Sequence, residues 1–100
     1  MIRHVVVITW TADATPEQIE AVSTGLATLP PLMTGLVAYS FGPDAGISAG
    51  TADFGIVADF DSRDSYVAYR DHPAHRDIIE HTLNPIVAER RSVQFSTAAR

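Results

Sequence analysis

Ile2-Arg3-His4-Val5-Val6-Val7-Ile8-Thr9-Trp10 carries the strongest fold signal in this chain. Its β-branched residues suit a pleated, buried strand. Side chains alternate between the faces of a strand, so Ile2, His4, Val6, Ile8 and Trp10 share one side and Arg3, Val5, Val7 and Thr9 the other. Both sides are largely apolar and both need cover. That requirement points to helices on one face and a partner sheet on the other.

Downstream, Thr15-Pro16-Glu17-Gln18 spells a helix start: Thr15 as cap, Pro16 at the first position and Gln18 closing a capping box. Ile19, Val22, Leu26 and Leu29 follow at helical spacing, and Pro30-Pro31 ends the run. Leu36–Phe41 reads as a second strand, with Gly42-Pro43-Asp44 turning out of it into a loop over 45–52, the segment expected to be most mobile. Phe54–Phe60 reads as a third strand, with Phe54, Ile56, Ala58 and Phe60 on one face and Val57 and Asp59 on the other. Ser62 caps a second helix carrying Tyr66, Val67, Tyr69 and Arg70. A third helix starts at Pro73 with Ile78, Ile79 and Leu83 inward, and Pro85 is expected to interrupt it. Ser92–Ser96 reads as the last strand, Arg90-Arg91 as the charge complement of a helix C-terminus, and the tail to Arg100 as frayed. Strand, helix, strand, strand, helix, helix, strand is the split β-α-β order of a ferredoxin-like α+β domain.

One hundred residues, 46% of them apolar, make one small domain over 1–100. A net charge of −5, with seven arginines and no lysine, argues against nucleic acid or an anionic membrane as partner, because phosphate binding needs clustered cations. Without lysine there is no Schiff-base chemistry, and without cysteine no thiol nucleophile, disulfide or thiolate metal site. No apolar run approaches the roughly 20 residues that span a bilayer. The first strand also lacks the pattern of a signal peptide. These features predict a cytoplasmic protein.

Chemistry concentrates in Tyr69-Arg70-Asp71-His72-Pro73-Ala74-His75. Proline fits the first helical position, where its missing N–H has no partner to lose. This makes His72 the cap and His75 a first-turn residue near the positive helix end, where a neutral imidazole is favoured. A neutral His75 can accept a proton. A metal site built from His72, His75 and Asp71 is conceivable from the spacing, but the helix break between the imidazoles speaks against convergence, and no metal is expected. His81 falls on another helix face as a surface histidine. Arg70, Asp71, Arg76 and Asp77 read as a solvated charged surface.

The sequence resembles the stress-responsive dimeric α/β-barrel (Dabb) family. Arg3-His4-Val5-Val6, Gly42-Pro43, Phe60-Asp61-Ser62 and Tyr69-x-x-His72-Pro73-Ala74-His75 carry the resemblance, spread over positions 2 to 97. It implies a ferredoxin-like monomer whose sheet pairs with that of a second copy, closing a homodimeric barrel. Val5, Val7 and Val57 would then face the barrel and His4, Val6 and Ile8 the helices. The family includes olivetolic acid cyclase, which cyclises a linear polyketide thioester by aldol condensation without metal or organic cofactor. The resemblance assigns its histidine and tyrosine roles to His75 and Tyr69, and a pocket role to His4. Val6, Ile8, Val22, Leu26, Ile56 and Ile86 would complete the substrate-binding wall for a small hydrophobic or aromatic ligand. Val22, Ser23, Leu26 and Ile86 replace bulkier aromatics of the cyclase, so its plant substrate is not carried over. The leading expectation is a cofactor-free cyclase or aldol-type enzyme. One alternative is a non-catalytic stress-response or ligand-binding barrel. Another is a cofactor-independent monooxygenase, for which Trp10 on the His4 face is a hint.

Overall fold

In the computed structural model, which describes residues 1–98, the first strand is β1 (Ile2–Trp10). It is followed by α1 (Pro16–Ala27), a 3₁₀ turn (Pro30–Leu32), β2 (Leu36–Pro43) and β3 (Phe54–Phe60). The second half holds α2 (Arg63–Asp71), α3 (Pro73–Asp77), a π-helical segment (Ile78–Leu83), a 3₁₀ turn (Asn84–Ile86) and β4 (Val87–Ser96). The strands form one antiparallel sheet in the order β2-β3-β1-β4. This is a ferredoxin-like α+β domain. No helix among the described residues is long and apolar enough to cross a membrane.

The Thr15 capping box forms in full, with Gln18 N–H donating to Thr15 Oγ1 and Thr15 N–H to Gln18 Oε1. Val22, Leu26 and Leu29 are buried, as their spacing requires. Gly25 lets α1 lie close to the π-helical segment, since a Cβ there would sit 3.3 Å from Ile78 Cγ1. The core also takes Val6 and Ile8 of β1, Phe54, Ile56, Ala58 and Phe60 of β3, and Tyr69, Ile78, Leu83 and Ile86. Gly35, at φ 81°, turns the chain into β2 where a side chain would collide with Ser65 and Asp61.

Three expectations are corrected. β2 does not turn at Gly42: Gly42 and Pro43 continue the ladder opposite Gly55 and Phe54. Proline is tolerated there because β2 is an edge strand. β4 starts at Val87 rather than Ser92, pairing Arg90 with Ile8 and Arg91 with Val7. The arginine pair therefore belongs to a strand, drawn into the ladder by the full length of β1, and does not complement a helix end. The third helix is α-helical for five residues only and then widens to a π-helix. Pro85 accounts for the end of the π-helical segment, because it offers no N–H to a carbonyl of the preceding turn. The expected fraying includes residues 99 and 100, which lie outside the described residues.

On the face away from the helices, Arg3 donates two hydrogen bonds to Asp59, at 2.7 and 2.9 Å. The guanidinium holds the Asp59 carboxyl below its ordinary pKa. Val7, Val93 and Phe95 lie exposed on the same face, 44%, 55% and 45% accessible, beside half-buried Val5 and Val57. An apolar patch of this kind on a sheet face marks a surface built for cover.

Candidate active site

The corner between α2 and α3 is set by proline. His72 precedes Pro73 and is held extended, at φ −63° and ψ 132°, where it ends one helix and caps the next. Its Nδ1 accepts the Ala74 N–H at 3.1 Å. Three residues on, His75 folds back so that Nδ1 lies 3.1 Å from the Arg70 carbonyl oxygen. A carbonyl can only accept, so Nδ1 carries the proton and Nε2 is left as the basic nitrogen. The same bond satisfies a carbonyl of the last turn of α2 that has no helical partner.

Across from this corner, His4 projects from β1 and is 8% exposed. Gln94, its partner on β4, donates from Nε2 to His4 Nδ1 at 2.7 Å. That leaves the His4 proton on Nε2. The two imidazoles are thus held in opposite tautomers, one presenting an acceptor and the other a donor. Tyr69 lies between, its ring centroid 4.2 Å from His75 and 6.3 Å from His4. Tyr66 packs on the His4 ring at 5.0 Å. Tyr69 Oη is 2.9 Å from Tyr39 Oη, so the buried phenol is positioned by a second one.

Burial dominates the electrostatics. It lowers the His4 pKa to about 4, with help from His75 and Arg90. It also lowers that of His75, with Arg90, His72 and Arg76 acting in the same direction and the bond to the Arg70 carbonyl opposing. The expectation of a neutral His75 agrees with this, but desolvation, rather than the end of a five-residue helix, is the main cause. Burial and the neighbouring Tyr39 raise the Tyr69 pKa far above the phenol range, so its hydroxyl stays protonated.

The neutral state of His4 has a consequence for stability. In the unfolded chain His4 takes up a proton near pH 6.5; in the fold it does so only near 4. Between these values the unfolded state binds more protons, so stability is complete above about pH 6.5 and falls as pH drops toward 4. The expected loss is about 3 kcal/mol. Urea unfolding at intervals from pH 7 to 4.5 should show this slope, and His4→Gln should flatten most of it.

His4, Tyr69 and His75 line one cleft of about 390 Å³, together with Val6, Leu26 and Ile56. Ile8, Val22 and Ile86, expected in the wall, do not reach it: they are 0%, 0% and 2% exposed and packed into the core behind. Three residues read as parts of charged surface or of a helix end, Arg70, Arg76 and Arg90, line the cleft instead. Ser92 and Tyr66 join them. Arg90, Ser92 and Gln94 alternate with Arg91, Val93 and Phe95, and that period of two was the signal available in the sequence. His81 stays at the surface, 2.9 Å from Asp77. Among the described residues no group of three or more His, Cys, Asp or Glu side chains is arranged to hold a metal ion.

The chain is thus a ferredoxin-like domain with a cleft between sheet and helices lined by imidazoles and phenols, and the fold is one it shares with many solved proteins. Within it, the match is specific: residues 2–97 fit the model of the Stress responsive A/B Barrel Domain (Dabb), and the chain belongs to that family. A crystal structure of a dimeric ferredoxin-like protein of unknown function from Thermobifida fusca is 43% identical, with a TM-score of 0.89 over 96% of this chain and 90% of that one. Two enzymes share the fold at lower identity. One is the hydroxynitrile lyase of Passiflora edulis, 14% identical, with a TM-score of 0.81 over 94% of this chain and 90% of that one. The other is SnoaB, a cofactor-independent oxygenase from Streptomyces nogalater, 13% identical, with a TM-score of 0.76 over 99% and 94%. No curated protein matches the sequence.

Proposed function

We propose that this protein is a cofactor-independent enzyme that makes or breaks a carbon–carbon bond next to a carbonyl, of the polyketide cyclase or aldol type. One observation carries the reading: a buried and a half-buried imidazole, both neutral and in opposite tautomers, share a cleft with a protonated tyrosine. His75 Nε2 takes a proton from the carbon beside a carbonyl, and the electron pair of that C–H bond moves to the carbonyl oxygen. His4 Nε2–H and the Tyr69 hydroxyl donate to the enolate so formed. Its carbon then attacks a second carbonyl, a C–C bond forms, and the new alkoxide takes the proton back from the His75 imidazolium. Cleavage runs the same steps in reverse.

Because solved relatives of this fold are dimers, we assign the exposed Val7, Val93 and Phe95 face to a homodimer interface. The cysteine-free composition supports assigning the protein to the cytoplasm. One observation favours the passive alternative, a ligand-binding barrel: the Tyr69 hydroxyl is bonded to Tyr39.

Hydrogen–deuterium exchange decides between the two. Aryl methyl ketones and β-hydroxy ketones incubated in D₂O should exchange their α-protons faster with the protein than without it. His75→Ala should return exchange to the background rate. No acceleration on any of these compounds would leave only the passive reading, and equal acceleration by His75→Ala would remove His75 as the base.

A further inference from the structure

Three of the seven arginines in this acidic chain line the same cleft. Arg70 is bound by Asp71 through two hydrogen bonds, at 2.9 and 3.1 Å, and Arg76 approaches Glu80 at 3.4 Å. Arg90 differs. Its neighbour Glu89 lies against Arg91 instead, and Arg90 forms no ion pair among the described residues. Glu80, the one carboxylate of the lining, sits with Arg76.

The strand register aims Arg90 at the chemistry. Arg90, Ser92 and Gln94 stand opposite Ile8, Val6 and His4, on the sheet face that carries the helices. Ser92 and Arg90 thus continue the row that begins with the Gln94–His4 hydrogen bond. The opposite wall is Tyr66, Tyr69, Ile79 and Leu83, which suits an apolar or aromatic body. An unpaired guanidinium at one end of such a slot offers a planar fork that matches a carboxylate.

We propose that Arg90 is the anchor for a substrate carboxylate, and that the cleft takes small carboxylic acids whose apolar body lies along the tyrosine wall. This specifies the substrate class of the enzyme proposed above and rests on that reading for its biological meaning, although the anchoring itself is a binding property. With the carboxylate on Arg90, the carbon skeleton extends past Ser92 toward His4 and His75. The Arg90 charge is felt at both imidazoles, as expected for a guanidinium on this row.

Benzoate and benzamide, which share shape and differ in charge, are suitable probes for calorimetric titration of the whole protein. Benzoate should bind about tenfold more tightly than benzamide. Arg90→Gln should abolish that preference, chiefly by weakening benzoate; Arg90→Lys should retain part of it. Arg63→Gln, which removes an equal charge outside the cleft, should leave it intact. Equal affinities in the wild type, binding of neither probe, or an unchanged preference in Arg90→Gln would each overturn the proposal. A retained preference alongside absent ketone exchange would overturn the enzymatic reading and leave the anchor standing.

Discussion

His75→Ala is expected to reduce α-proton exchange by about 10²–10⁴-fold, the range over which positioned proton transfer contributes to catalysis. The loss should fall on the rate rather than on ligand affinity, because the cleft walls that hold a ligand are elsewhere: Tyr66 from α2, Ile79 and Leu83 from the π-helical segment, and Arg90 from β4. Stability should change little. The ring is half-buried and contributes one hydrogen bond to the Arg70 carbonyl, worth about 1 kcal/mol. His75→Gln restores polarity without a group that titrates near neutrality, so it should be as inactive as alanine. Exchange kinetics and thermal melts on the three proteins check the prediction together.

The second large effect concerns the support of the site. Phe60 ends β3 with no exposed surface and meets both site tyrosines, with ring centroids 5.7 Å from Tyr66 and 5.2 Å from Tyr69. Phe60→Ala should cost about 3–5 kcal/mol, through lost transfer energy and the cavity left beneath the two rings. That is a large share of the 5–15 kcal/mol typical of a domain's stability. Since Tyr69 packs on His75 and Tyr66 on His4, the cavity also loosens the packing against both imidazoles. Chemical denaturation should show the stability loss. Exchange activity under native conditions should fall as well, while Phe60→Leu, which leaves less empty volume, should retain more of both.

Much of the fold was legible because local signals agreed with the tertiary outcome. The Thr15 box, the Ser62 cap and the His72-Pro73 break each appear where their chemistry places them. The alternation in Ile2–Trp10 put His4, Val6 and Ile8 on one face, and the family resemblance turned that face toward the helices, where all three are buried. Ladder pairing was less legible. Residues 87–91, Val-Ala-Glu-Arg-Arg, look like the charged end of a helix, yet they become strand because β1 supplies a partner along its whole length. With that register hidden, Arg90, Ser92 and Gln94 could not be placed on the His4 face. Nor could spacing separate the wall of the cleft from the core behind it: Val22 and Leu26 lie on one stripe of α1, but only Leu26 borders the cleft. The Tyr39–Tyr69 bond joins residues thirty apart in sequence, and no local pattern announces it.

Nitrogen-edited NMR of the histidine rings is the decisive test of a poised base in the cleft, because it reports tautomer and pKa for each imidazole in the same titration. The expected result is His75 protonated on Nδ1 and His4 on Nε2, both titrating below 6.5, with His4 near 4. A His75 that titrates at its ordinary value with its proton on Nε2 would contradict it: the cleft would then hold no poised base, and the carbonyl chemistry proposed for it would fall.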